Sequence, residues 1–497
     1  MSGMITYVRR HWVGIFLSVY AVVLMLFVSH DSFLCDITHH RDAIWFFTCG
    51  KAWMNGMVPY VDFADSKGPL MWLVYGVGYL LSPRNLAGVW VITCLLYATI
   101  YLLLYRIVRL FVSSRRSAVL AVVAMNLSFF FTYMHNETRC EDFNLLFIVW
   151  SLYYVCRILY AHDRSCLSSA SAVLGVSAAA TLLIKYNATV MLLAFAAVVW
   201  VAAYRERRLL RSCLLMAAGA AAVLLPFAVY MLAVGCFDDF LYDYFIITPY
   251  TLVNAVAVRG TVWSRLYLGR ETCVPFFTLL GLCVLVFGLV HTRLRTVERW
   301  FPLVGLLWFF AVALVNGVCV YYFYPCGVFA LFGLITVVQE GASGLGPIRW
   351  WLCVVAITAT VVAMSLTCRP NIMIWKDSPV RQAMQRYTSL MRSAHVEKPR
   401  VIYYNNIFYI DFGMPLEALP GCKYWVKQTG ATPAMVENQI QAIEHDRADF
   451  VFALDNEENR TFFDSLGYTR YTDDQFRLDL YTKHILQPSP AGVSAEE

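Results

Sequence analysis

The sequence predicts an α-helical polytopic membrane protein of about eleven transmembrane helices, followed by a small extracytoplasmic α/β domain. Three observations predict it. Of the 497 residues, 60% are hydrophobic and 14% charged, and the mean hydropathy is +0.59, beyond what a soluble domain carries. Apolar runs of spanning length recur from residue 11 to residue 367. Arginines gather in every second connection between them, the charge pattern of cytoplasmic loops. The net charge of +6 therefore belongs to loops at a membrane rather than to a nucleic-acid surface.

The runs lie near 11–29, 86–111, 117–134, 143–161, 167–184, 188–204, 210–235, 274–292, 300–317, 319–338 and 350–367. A span needs about 20 residues, so a few must sit upright or partly buried. The run 69–82 is shorter and is predicted to be an interfacial helix with Pro69 in its first turn. His11 to Ser29 follows Arg9 and Arg10 without a small-residue cleavage site, so it is predicted to be a retained first helix.

Arg106, Arg109, Arg115 and Arg116 separate the second run from the third, and Arg157 and Arg164 flank the fourth-to-fifth connection. Arg205, Arg207, Arg208 and Arg211 follow the sixth, and Arg293, Arg295 and Arg299 follow the eighth. These connections and the N-terminus are predicted to be cytoplasmic. Loops 30–68, 135–142 and 236–272, with the C-terminal segment, then face outward.

From about Arg369 charged residues return. Val401 to Tyr404, Phe450 to Leu454 and Leu478 to Tyr481 read as strands. Pro433 to His445 reads as a helix capped by Thr432. The predicted organisation is a transmembrane domain at 1–368, an outer α/β domain at 369–486, and a disordered tail at 487–497. The 15 cysteines sit mostly in apolar helices, where a thiol acts as a small hydrophobe. Cys35 and Cys49 share one loop and are either a disulfide or two free thiols.

Polar chemistry concentrates between Arg41 and Leu70, where three carboxylates and two lysines fall among aromatics. Asp42, beside Trp45, Phe46 and Phe47, suits proton acceptance from an attacking hydroxyl. It equally suits a solvated loop or the cap of a helix over 43–54. Asp36 and Asp31 are nearby alternatives. Lys67, entering a Gly-Pro turn, suits a phosphate at headgroup depth, and pairing with Asp62 or Asp65 is compatible with that. Glu141 and Asp142 could orient an acceptor or hold a metal, or simply favour a helix start. Lys185 ends the fifth run, where a cation either meets an anionic headgroup or snorkels. The loop 236–272 carries Asp238, Asp239, Asp243, Arg259, Arg265 and Arg270 and is long enough to cover a groove. Tyr321, Tyr322 and Tyr324, before Pro325, read mainly as an interfacial aromatic belt.

With these residues in place, the chain resembles the GT-C superfamily of polyprenyl-phosphate-sugar-dependent membrane glycosyltransferases. That superfamily includes protein O-mannosyltransferases and the lipid A aminoarabinose transferase. The matching elements are Asp42, Trp45 with Phe46, Gly56, Pro59-Tyr60-Val61-Asp62 and Lys67-Gly68-Pro69-Leu70. Glu141-Asp142-Phe143 and Lys185 add weaker matches. The resemblance covers the first six helices well and the rest in layout. It departs at Tyr321-Tyr322, where relatives commonly show His-Tyr before a proline.

The resemblance implies the GT-C fold and an inverting transfer of a sugar from a polyprenyl-phosphate donor. The acceptor would be a hydroxyl of lipid A, a polysaccharide, a lipid or a protein of the bacterial cell envelope. The site would face the outer side of the inner membrane. Asp42 would be the general base, with Glu141 assisting it or orienting the acceptor. Lys67 and Lys185 would stabilise the departing lipid phosphate, with Arg41 as a helper, and Tyr60, Asp62 and Asp65 would complete the substrate-binding loop. No nucleotide-binding glycine loop is evident, which fits a lipid-linked donor. A divalent metal is not predicted, although Asp42 and Glu141 are residues that could share one. The implied partners are the donor, the acceptor and membrane lipids, with no nucleic acid. A transporter or flippase of lipid-linked sugars is the competing reading, but it would place polar groups at the midplane on repeated, broken helices. An inactive scaffold of the same fold is a third, opposed by the presence of Asp42, Lys67 and Glu141.

Overall fold

The computed structural model describes residues 2–34, 41–130, 138–251, 270–316, 320–340, 346–367, 379–405, 411–427, 431–473, 476–486 and 494–496. Its helices are α1 (Ser2–Val28), α2 (Arg41–Met54), α3 (Pro69–Leu81), α4 (Ala87–Val108), α5 (Arg115–Phe130), α6 (Cys140–Leu159) and α7 (Leu167–Lys185). Then come α8 (Asn187–Met191), α9 (Leu193–Arg205), α10 (Leu209–Ala233) and α11 (Phe237–Tyr242), which runs into a π-helical turn at Asp243–Ile247. α12 (Arg270–Val290) and α13 (Thr296–Asn316) follow, then a 3₁₀ stretch at Val320–Phe329 leading into α14 (Ala330–Glu340), and α15 (Pro347–Thr367).

Every predicted apolar run is helical. Among the described residues, nine helical stretches are long and apolar enough to cross a membrane, so the chain is a multi-pass membrane protein. Two of the eleven expected spans, α5 and α12, are not among those nine described stretches. The described part of α5 has 16 residues. α12 has 21 residues, and its stretch Pro275–Val290 is one of the shorter apolar helices among the described residues. The 13 residues of α3 are too few to span, as expected.

Contacts divide the chain into two compact units. One comprises residues 1–29, 91–227 and 259–369; the other comprises 30–90, 228–258 and 370–497. The first is a helical bundle. Its α7 and α10 meet through glycines: a Cβ at Gly175 would fall 1.9 Å from the Met216 carbonyl oxygen, and one at Gly219 would fall 2.3 Å from that of Ala172. Small residues at such crossings let backbones touch, which is how apolar helices gain contact where no water drives them together.

The second unit joins residues 30–90, the residues after α10 and the C-terminal segment. The last contributes α16 (Pro379–Arg392), β1 (Arg400–Tyr403), β2 (Leu419–Pro420), α17 (Pro433–Glu444), β3 (Phe450–Leu454), α18 (Glu457–Ser465), β4 (Thr469–Asp473), β5 (Phe476–Thr482) and β6 (Ser494–Glu496). They form one sheet of order β2-β1-β3-β5-β4-β6. β2, β1 and β3 are parallel, and β5, β4 and β6 continue antiparallel. Ile402, Ile443, Val451, Phe463 and Tyr481 form its core.

The predicted strands and the 433–445 helix correspond to β1, β3, β5 and α17. Thr432 holds the N-cap position in extended geometry but makes no side-chain cap bond. α16 was legible yet passed over: Ala383, Tyr387, Leu390 and Met391 are its buried side, at helical spacing among arginines. Of the tail predicted to be disordered, three residues are described. Ser494–Glu496 pairs with Arg470–Thr472, because the outer edge of β4 offers unpaired backbone groups that any short extended segment can meet.

Asp479 on β5 is buried, with the Arg470 guanidinium 3.7 Å away. Burial, reinforced by Asp455, lifts its carboxyl to about 6. Since the folded value lies above the unfolded one, the contribution of Asp479 to stability is fully present below about pH 4 and declines as pH rises through about 6. Asp479→Asn is expected to flatten that decline in thermal melts of the detergent-solubilised protein. A decline unchanged in the variant would assign it to another group.

Candidate functional site

In the second unit, α2 carries Asp42 in its first turn, half-buried. Phe46 and Phe47 lie one turn further, packed edge-on against Tyr75 and Tyr79 of α3 at 5.5 and 6.0 Å. The crossing is tight: a Cβ at Gly50 would come 2.4 Å from the Gly76 nitrogen. Aromatic packing sets the rotation of α2, and the glycine contact sets its distance from α3. Asp42 and Phe46 stand four residues apart and so share a helix face.

The loop between α2 and α3 is held by its own residues. Tyr60 adopts a left-handed backbone, φ 64°, and its N–H donates to the Phe63 carbonyl at 2.8 Å. The Asp62 carboxylate accepts from the Val58 N–H at 2.7 Å. The buried Tyr60 ring packs on Trp72 and Phe240, and its hydroxyl donates to the Lys67 carbonyl at 3.2 Å. These bonds aim Lys67. Its ammonium donates to Ser66 Oγ at 2.8 Å and stands 5.7 Å from the Phe46 ring centroid, one helical turn from Asp42. Asp65 is buried; one carboxylate oxygen accepts from Ser66 Oγ at 3.3 Å, and the other makes no hydrogen bond among the described residues.

Two anchors tie this loop to the C-terminal segment. Asp411 accepts from Thr48 Oγ1 at 3.2 Å, the Tyr403 hydroxyl at 3.0 Å and the Gly413 N–H at 2.9 Å. Lys51 of α2 is 0% exposed and lies 4.0 Å from the same carboxylate. At that distance attraction does not offset desolvation, and burial holds the ammonium below the ordinary lysine range. The second anchor is Lys423, whose carbonyl accepts from the Ala64 N–H at 2.9 Å. Its ammonium pairs with Asp243 in the π-helical turn at 2.7 Å and with Asp239 at 3.5 Å. The Tyr424 hydroxyl donates to Asp243 at 2.8 Å.

In the first unit, Glu141 opens α6 and Lys185 closes α7. They form an ion pair at 2.5 Å with side chains 6% and 12% exposed. The ammonium also faces the Tyr322 and Tyr321 rings, at 3.9 and 5.3 Å from their centroids. Asp142 accepts from the Arg139 N–H at 2.8 Å, closing the first turn of α6. It also accepts from the Tyr97 hydroxyl, which shares a 2.6 Å hydrogen bond with Tyr324. Of the tyrosines expected as an aromatic belt, Tyr321 and Tyr322 thus face the Lys185 ammonium and Tyr324 bonds to Tyr97.

The structure thus brings Lys67 beside the face that carries Asp42, and Glu141 onto Lys185. Tyr60 and Asp62 direct their hydrogen bonds within the loop. The Arg41 side chain, Asp36, Arg259, Arg265 and the Arg270 side chain lie outside the described residues, as does Cys35. Cys49 is a buried free thiol. Among the described residues, no three His, Cys, Asp or Glu side chains gather as a metal site. Sequence reasoning missed Lys51, Asp411 and Lys423. Only Lys51 carried a signal, as a lone cation between Gly50 and Ala52 in an apolar helix.

Asp411→Ala strands a buried ammonium, whereas Lys51→Met leaves Asp411 with three hydrogen bonds. The aspartate variant is expected to cost about 3–5 kcal/mol and the methionine variant markedly less, measured by chemical or thermal unfolding in detergent. Equal losses would show that Lys51, not the Asp411 bonds, holds the anchor.

The family described as dolichyl-phosphate-mannose-protein mannosyltransferase matches residues 66–232. No curated protein matches the chain by sequence. Among solved structures, the chain is similar to ArnT from Cupriavidus metallidurans bound to undecaprenyl phosphate. That likeness has 12% identity and a TM-score of 0.65, covering 94% of this chain and 97% of the other. It is also similar to ArnT from the same organism in the apo state, at 12% identity and a TM-score of 0.57, covering 95% and 98%. The chain has the fold of the GT-C membrane glycosyltransferases.

Proposed function

We propose that this protein is an inverting glycosyltransferase that moves a sugar from a polyprenyl phosphate to a hydroxyl of a cell-envelope acceptor. The reaction takes place at the outer face of a bacterial inner membrane, with the N-terminus cytoplasmic and the C-terminal sheet periplasmic. The observation that carries this reading is the Lys67 ammonium over Phe46, one turn from Asp42 on the same helix face. A cation for the leaving phosphate and a carboxylate for the incoming hydroxyl are what a single displacement needs. The fold shared with a protein solved with undecaprenyl phosphate bound supports a lipid-linked donor.

In this mechanism Asp42 takes the acceptor proton as the hydroxyl oxygen attacks the anomeric carbon. The bond from that carbon to the phosphate oxygen breaks, and its electron pair leaves on the lipid phosphate. One displacement inverts the anomeric centre. Lys67 stabilises the charge that develops on the phosphate, a contribution felt most in the transition state. Lys185 supplies a second cation to the phosphate. Glu141 acts through Lys185, holding the ammonium charged and oriented in an apolar bundle. Tyr60 and Asp62 shape the loop that presents Lys67, and Asp65 lines it.

Two measurements test this. With radiolabelled polyprenyl-phosphate sugars and membrane extract as acceptor, purified protein is expected to release polyprenyl phosphate in an acceptor-dependent manner. Asp42→Asn should lower that rate by about 10²–10⁴-fold with folding intact; a fully active variant would remove Asp42 as base. No release over a broad donor panel, with flipping in liposomes, would replace the enzyme by a transporter. Lys185→Ala is expected to raise the donor KM about tenfold and leave the acceptor KM nearly unchanged. An unaltered donor KM would assign Lys185 to the bundle rather than to the phosphate.

A further inference from the structure

The arginine-bearing end of the helical bundle contains a cavity of about 760 Å³ that the proposed reaction does not use. Arg10 of α1, Arg106 of α4, Arg109 just beyond it and Arg115 at the start of α5 all line it. Among the described lining residues none is acidic, and none of these four arginines has an ion-pair partner among the salt bridges of the described residues. Arg109 donates to the Val112 carbonyl at 2.8 Å and to that of Ser113, which ties it to the α4–α5 connection. Arg10, Arg106 and Arg115 are exposed.

Besides Tyr7, His11, Ser18 and Tyr105, the rest of the wall is apolar. Ile15 and Val19 of α1 and Leu102 of α4 line it, with Ile15 42% and Val19 55% exposed. From Arg10 to Val19 the wall runs about 13 Å along α1. A soluble anion would gain from the arginines but not from this wall. A hydrocarbon chain would gain from the wall but not from four unpaired guanidiniums. A molecule with a phosphodiester at one end and acyl chains at the other satisfies both.

We propose that this cavity is a binding site for an anionic phospholipid of the leaflet on the arginine-bearing side. The phosphate meets Arg10, Arg106 and Arg115, and an acyl chain lies along α1 toward Val19. Guanidiniums from three elements converge on one headgroup, so the lipid ties α1, α4 and the start of α5 together at that surface.

The test is native mass spectrometry of the full-length protein in detergent, titrated with phosphatidylglycerol or phosphatidylcholine of identical chains. The wild type is expected to bind the anionic lipid at least about tenfold more tightly. Arg10→Gln/Arg106→Gln/Arg115→Gln should abolish that preference. Arg207→Gln/Arg208→Gln/Arg211→Gln removes as much charge from exposed positions outside the cavity and should keep it. Millimolar inorganic phosphate should not displace the lipid. Equal binding of both lipids by the wild type, equal loss in the two variants, or displacement by phosphate would each overturn the proposal. If the triple variant does not fold, Arg106→Gln and Arg115→Gln alone carry the same comparison.

Discussion

A carboxylate buried late in the chain is what helix α2 and the loop after it depend on. Asp411 lies 363 residues beyond Thr48, yet it accepts from Thr48, Tyr403 and the Gly413 N–H and faces the Lys51 ammonium. A charge in so dry a place persists only if its hydrogen bonds are made. Each donor comes from a fixed backbone position, so satisfying Asp411 fixes α2 against the sheet. Asp42 is on that helix. The C-terminal domain therefore acts on the proposed chemistry mechanically, through the seat of α2, and contributes none of the reacting groups assigned here.

The loop from Val58 to Lys67 shows how a short segment divides its polar groups. Tyr60 and Asp62 bond to backbone groups of the loop itself, and the Ala64 N–H reaches the Lys423 carbonyl. Once those bonds are made, Lys67 has little choice of direction. A left-handed tyrosine costs roughly 1–3 kcal/mol, and burying its ring between Trp72 and Phe240 offsets that by a similar amount.

The helical bundle solves the same problem without a sheet. Glu141 and Lys185 neutralise one another, and two tyrosine rings face the ammonium. Tyr97 donates to Asp142 and shares a hydrogen bond with Tyr324. Tyrosine suits this work because it brings apolar area and one hydroxyl to a place where water is scarce. The sequence suggested an interfacial belt for Tyr321, Tyr322 and Tyr324, and composition reports that an aromatic is present, not which way it points.

What the sequence by itself determined was whatever rests on local pattern. Eleven apolar runs predicted eleven helices, since hydrocarbon admits backbone only when its hydrogen bonds are made internally. Short strand-like runs located β1, β3 and β5, and the order of Asp42, Tyr60, Asp62 and Lys67 set out the candidate loop. What only the tertiary structure decided was pairing between distant residues. Nothing near Asp411 announces Lys51, nothing near Lys423 announces Asp243, and the edge of β4 rather than any propensity makes Ser494–Glu496 a strand. Burial turns a charged side chain into an obligation to find a partner, and the partner's address lies in the fold.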